Sequence, residues 1–173
     1  MPYGNNKMAY LSTIKDSSTN EILAYNLSNN LAIDIVTETI NKLVKLKSFK
    51  LHKDAFIHSD QGSHYTSPIF QKLLKKYNLG QSMSRRGNCW DNAPQESFFG
   101  HMKDEIDVSG CEKYRDVRAI VDDWIDYYNN ERYQWQLAKL SPNEYYGYIT
   151  TGIYPLKGII DEREKEQKFP KTN

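Results

Sequence analysis

The sequence predicts a mixed α/β domain in which helices cover a sheet. Three observations predict it. Two short strand-like segments, at 8–14 (MAYLSTI) and 21–27 (EILAYNL), flank the turn-forming run Asp16-Ser17-Ser18-Thr19-Asn20. Beyond them, segments of helical period alternate with short apolar runs. The chain has 173 residues, 39% hydrophobic and 26% charged, enough for one domain with its own core.

Each element has a local reason. Gly4-Asn5-Asn6 is a turn signal, so a strand is expected before it, with Met1-Pro2-Tyr3 as its tail. The two strands at 8–14 and 21–27 form an antiparallel hairpin. Residues 31–47 bring Leu31, Ile35, Ile40, Leu43 and Val44 near helical spacing. Residues 54–60 read as a strand, with Ala55, Phe56 and Ile57 as a short buried run. Ser67 followed by Pro68 is a helix start. Phe70, Leu73, Leu74 and Tyr77 carry that helix, and Gly80 ends it. Residues 81–84 form a short strand. A helix over 92–106 opens with Asn92 and Gln95 in the spacing of a capping box and buries Phe98, Phe99 and Met102. Val117, Ile120, Val121, Trp124 and Tyr128 mark a further helix. Residues 1–147 are read as the core. Residues 148–173 are read as a tail, partly disordered because 157–173 is mostly polar.

Composition excludes several classes. No apolar run approaches the roughly 18 residues of a membrane span, and MPYGNNKMAY is not a signal peptide. Cys89 and Cys111 alone cannot build a zinc module and fit a reducing cytosol, so a cytoplasmic protein is expected. The net charge of +1 announces no partner, but its distribution does. Residues 61–90 carry Lys72, Lys75, Lys76, Arg85 and Arg86 and no acid. Such a patch binds phosphates or is a solvated helix face.

The chemistry centres on IHSDQGSHYTS at 57–67. Asp60 stands where an apolar strand runs into a Gly-containing loop, as at the strand ends that carry ligand sites in α/β sheets. His58 and Asp60 share a strand face. Taken alone, the stretch reads as a solvated loop carboxylate. Glu96, after 35 intervening residues, opens the next helix, and Lys103 follows two turns later on the same face. These are either a metal-binding carboxylate and a phosphate-binding cation, or a plain exposed helix face.

Three stretches, HSDQGSHYTS, SMSRRGNCWDNAPQESFFGHMKDE and YYNNERYQWQLAKLSPNEYY, resemble the integrase-like core of transposases of insertion sequence family three. The resemblance runs from about residue 3 to 147. It implies a ribonuclease H-like fold and a DDE site of two aspartates and a glutamate. By it, Asp60 is the second acid, Glu96 the third, and Lys103 a DNA contact near the cleaved phosphate. Arg85, Arg86, Lys75, Lys76 and Asn92 are further DNA-binding candidates. Two Mg²⁺ or Mn²⁺ ions are the implied cofactors, since hard cations take carboxylate oxygens. The implied reaction is DNA cleavage at the element's ends and strand transfer by a 3′-OH, without ATP. The implied partners are element-end and target DNA and further copies of the chain, with neither a membrane nor a small-molecule substrate. The family's usual His in the third stretch is Gln134 here, taken as a variant. Tyr128 and Trp135 are read as core packing.

The first acid has no residue to occupy its place. It belongs on the strand before Gly4, and Asp16 and Asp34 lie in a hairpin turn and a helix start. That strand would be central in the sheet. The chain is therefore expected to be an N-terminally truncated fragment, inactive and poorly folded alone. The alternative is a non-catalytic DNA-binding fragment that titrates the full-length transposase. A ribonuclease acting on RNA–DNA hybrids would share the fold but not the WDNAPQE stretch.

Overall fold

The computed structural model describes residues 1–46, 51–84 and 93–158. They divide into two compact units. One contains residues 1–17 and 22–125, the other residues 18–21 and those from 126 onward.

In the first unit, β1 (Pro2–Tyr3) pairs antiparallel with β2 (Lys7–Met8) across the Gly4-Asn5-Asn6 turn. Gly4 and Asn6 both take positive φ there, at 47° and 56°. The expected hairpin is β3 (Tyr10–Lys15) and β4 (Ile22–Ser28), antiparallel from Tyr10↔Ser28 to Lys15↔Ile22. Helix α1 (Asp34–Lys45) follows, with Ile35, Val36, Ile40 and Leu43 buried. Leu31 precedes the helix and is exposed, contrary to the sequence reading. Strand β5 (Phe56–Ser59) leads through a single turn, α2 (Ser63–Thr66), into α3 (Pro68–Lys76). The Ser67 hydroxyl accepts the Phe70 N–H at 3.2 Å, as the Ser-Pro start predicts. The helix stops before Gly80. Asn78 takes the left-handed conformation, φ 55°, and the Leu79 N–H reaches back to the Leu74 carbonyl. This is a Schellman stop with Asn in glycine's usual place. Gly80 instead opens β6 (Gly80–Met83), which pairs parallel with β5.

The strands form three separate pairs, β1–β2, β3–β4 and β5–β6. Among the described residues, β3 and β5 each have one hydrogen-bonded neighbour. Both nonetheless pack on the same core. Tyr10 and Ile14 from β3, and Ala55 and Ile57 at β5, lie against Ile35, Val36, Ile40, Phe70 and Leu74. One core thus serves two strand pairs that share no hydrogen-bond ladder among the described residues. It also corrects the reading of 55–57 as a buried run. Phe56 is 62% exposed, and Ala55 and Ile57 are only half-buried. A four-residue strand with one neighbour leaves such side chains uncovered.

Helix α4 (Ala93–Glu105) buries Phe98 and Met102, and the Phe98 ring lies 5.4 Å from that of Trp124. Asn92 lies outside the described residues, and the Gln95 amide donates to Thr13 Oγ1 at 2.6 Å. Lys15 Nζ donates to the Pro94 carbonyl at 2.7 Å. Since Tyr10 and Ile14 face α1 while Thr13 and Lys15 meet α4, strand alternation puts the two helices on opposite faces of β3. Helix α5 (Tyr114–Asn130) starts in this unit with Val117, Val121 and Trp124 buried.

The second unit holds a 3₁₀ turn (Trp135–Leu137) and α6 (Pro142–Thr151). Helix α6 runs through position 147 and opens with a reciprocal capping box. The Ser141 hydroxyl accepts the Glu144 N–H, and the Glu144 carboxylate accepts the Ser141 N–H at 2.9 Å. Tyr128 is buried as expected, but Trp135 is 72% exposed, which overturns its reading as core. It sits at the tip of a loop whose buried positions are Gln134, Leu137 and Leu140.

Candidate metal and DNA site

Asp60 directly follows β5, at the strand's carboxyl end. Its Oδ1 accepts the Gly62 N–H at 2.8 Å, closing a tight turn. A Cβ at Gly62 would stand 2.8 Å from that oxygen, so a side chain there displaces the carboxylate. The turn is anchored on both sides. Gln61 Nε2 donates to the Ser84 carbonyl at 3.1 Å, Ser84 N–H to the Ser59 carbonyl, and Gln81 Nε2 to the Tyr65 carbonyl at 2.8 Å. Tyr65 packs edge-on against Phe70, ring centroids 5.4 Å apart. Burial, aided by the Asp60 charge, pushes the Tyr65 phenol above its usual pKa. Asp60 itself is exposed, and its Oδ2 takes no hydrogen bond from the described residues. A rigid turn thus presents one carboxylate oxygen outward.

Glu96 lies in the first turn of α4, exposed and without a hydrogen bond from the described residues. Lys103 is exposed in the last turn of the same helix, and its charge, after burial, helps lower the pKa of the Met1 amino group. Exposed carboxylate oxygens are the donors a hard divalent cation takes while keeping water and phosphate ligands. Among the described residues, however, no three His, Cys, Asp or Glu side chains cluster as a metal site would.

The basic candidates divide. Lys75 and Lys76 are exposed in the last turn of α3, and Lys76 lies over the Tyr77 ring at 5.3 Å. Lys75 borders an open recess of about 400 Å³ with Lys53, Ala55, Asn78 and Gly80. Ala55 and Gly80 mark the starts of β5 and β6, so Lys75 stands at the end of this sheet opposite Asp60. Arg85, Arg86 and Asn92 lie outside the described residues. Among the described residues, Lys75, Lys76 and Lys103 form no ion pair with a carboxylate. Sequence reasoning missed the supports Gln61, Gln81 and Tyr65. Only Gly62, two residues after Asp60, carried a signal, since a glycine in that spacing permits the close turn.

Gln134, standing where the resemblance has His, is buried. Its Oε1 accepts from Asn20 and Gln136, and its Nε2 has no partner. No helix among the described residues is long and apolar enough to cross a membrane.

Comparison with known proteins bears on the family and the fold. Two models described as integrase core domain match residues 1–89 and 77–142. A putative transposase for insertion sequence element IS150 of Escherichia coli K12 is 36% identical over 142 residues, covering 82% of this chain and 50% of that protein. A transposase-like protein of Haemophilus influenzae is 38% identical over 138 residues, covering 79% and 62%. The chain spans about half the length of the curated relatives it matches. Among solved structures, the catalytic core of BIV integrase superposes with a TM-score of 0.54 at 14% identity, covering 87% of this chain and 92% of that one. A simian T-cell lymphotropic virus intasome chain gives 0.58 at 11% identity, covering 76% and 46%. The fold is that of the retroviral integrase cores, ribonuclease H-like, as the motifs implied.

Proposed function

Because the chain belongs to the integrase core domain family, in the form carried by transposases of insertion sequence family three, we propose that it is part of the catalytic core of a DNA transposase that cuts and joins the ends of a mobile element. One observation carries the reading. Asp60 leaves the end of β5 on an anchored turn with one oxygen unengaged, and Glu96 opens α4 inside the matching stretch.

Asp60 and Glu96 would hold Mg²⁺ or Mn²⁺, their exposed oxygens suiting a hard cation. A bound pair of such ions supplies activation of the attacking oxygen and stabilisation of the leaving one in an in-line displacement. The protein's own work is to hold those oxygens. The Gly62 amide fixes the Asp60 carboxylate, and Gln61 ties the turn to β6. Lys103, on the helix that carries Glu96, meets a DNA phosphate. The first acid of the triad is not found clustered with these two among the described residues. Element-end and target DNA, further copies of the chain and a cytoplasmic setting belong to the same proposal.

The test is strand transfer in a polypeptide that also carries the first acid. Asp60→Asn and Glu96→Gln are each expected to lose activity by more than about a hundredfold, since an in-line displacement rests on its metals. Full activity in either variant refutes the assignment. A second reading, DNA binding without catalysis, is favoured by the unpaired Lys75 and Lys76. It predicts salt-dependent binding by this chain with no metal-dependent cleavage under any complementation.

A further inference from the structure

The loop 134–140 of the second unit is built more carefully than a connection requires. Its base is closed by Gln134 and Leu140, with the Gln134 N–H donating to the Leu140 carbonyl at 3.0 Å. Leu137 and Leu140 are buried beneath it. Ala138 and Lys139 both take the left-handed conformation, φ 55° and 63°, although neither is glycine. Two consecutive L-residues rarely adopt it, and such conformations persist only where the surroundings over-determine them. Here they do. The Lys139 N–H bonds the Gln134 carbonyl, the Leu140 N–H bonds the Leu137 carbonyl, and the Tyr154 hydroxyl donates to the Ala138 carbonyl at 2.9 Å.

The strained pair reverses the chain and brings the Lys139 ammonium 4.8 Å from the centre of the Trp135 ring. Trp135 is 72% exposed and Tyr133 62%. Indole is among the side chains folding most readily removes from water, so a rigid loop that holds it outward with a cation beside it is a binding feature. The tip also exposes the polar Gln136 and the cationic Lys139, a charge of the kind depleted from the core of a protein interface. An aromatic face joined to a positive charge suits a nucleotide, whose base stacks and whose phosphate pairs.

We propose that Trp135 and Lys139 form a landing site for one unpaired nucleotide of a DNA strand, the base stacking on the indole and its phosphate meeting the ammonium. The proposal rests on the DNA reading above and specifies which strand form this loop takes.

The 173-residue chain tests it directly. Its binding to a short labelled single strand is measured by fluorescence anisotropy against a strand of equal length with abasic positions. The wild-type chain is expected to bind the base-bearing strand about tenfold more tightly, in line with aromatic stacking platforms. Trp135→Ala removes that preference while leaving the melting temperature unchanged, Trp135→Phe keeps most of it, and Lys139→Ala lowers the salt slope by about one ion. Wild-type binding with a preference that survives Trp135→Ala overturns this inference and leaves the DNA reading standing. Absence of binding to either strand overturns both. Self-association that Trp135→Ala abolishes, or a lowered melting temperature in that variant, assigns the indole to a second copy or to packing and overturns the inference.

Discussion

At the residue scale the account turns on Gly62. Its missing side chain lets the amide reach the Asp60 carboxylate at 2.8 Å. The clash partner is the end of a side chain and not backbone, so Gly62→Ala does not break the fold. It turns the carboxylate away. The expected loss of stability is on the order of 1 kcal/mol, one exposed hydrogen bond, read from denaturant midpoints, while Mn²⁺ affinity falls several-fold in titration calorimetry. Unchanged affinity contradicts the role given to the turn. Asp60 was legible in sequence because its surroundings are local: an apolar strand before it and a glycine two residues after it. Phe56 and Trp135 were not. Their hydrophobicity says what the chain prefers to bury, but the unpaired edge beside β5 and the loop that holds the indole outward are decided by the rest of the fold.

At the element scale, two helices start with the same device. Ser67 and Ser141 each precede a proline and each accept the N–H three residues on. Ser67→Ala is expected to cost about 1 kcal/mol and Ser141→Ala about 1–2 kcal/mol. Ser141 belongs to a reciprocal capping box and is wholly buried, so its loss also affects Glu144. Denaturant unfolding of both variants checks the order, and a smaller cost at Ser141 contradicts it. The Ser-Pro start at 67 was legible and the helix at 142–151 was equally signalled by Ser141, Pro142 and Glu144, yet its weaker apolar pattern hid it. The stop of α3 misled for a physical reason. Asn tolerates the left-handed conformation that glycine usually supplies, so Asn78 ended the helix two residues before Gly80.

For the whole molecule, the hairpin and the β5–β6 pair share a core without sharing a hydrogen-bond ladder. The two pairs are therefore expected to open separately. In hydrogen exchange, amides bonded between β3 and β4 should outlast those of the four-residue β5–β6 pair, and unfolding of the 173-residue chain should be broad. One sharp transition with uniform protection contradicts this. The alternation of elements and the β3–β4 hairpin could be read from local pattern, because turn residues and periodicity act within a few positions. The division into separate strand pairs could be expected only through the motifs, which imply a central strand with Met1-Pro2-Tyr3 as its tail. The central claim spans the molecule too, since Asp60 and Glu96 must serve one cation from different elements. Paramagnetic broadening by Mn²⁺ tests it most directly in this chain. The account predicts that Mn²⁺ broadens the amides beside Asp60 and those beside Glu96 together, and that Asp60→Asn abolishes both. Broadening at one acid alone, or at Glu96 undiminished by Asp60→Asn, would contradict it.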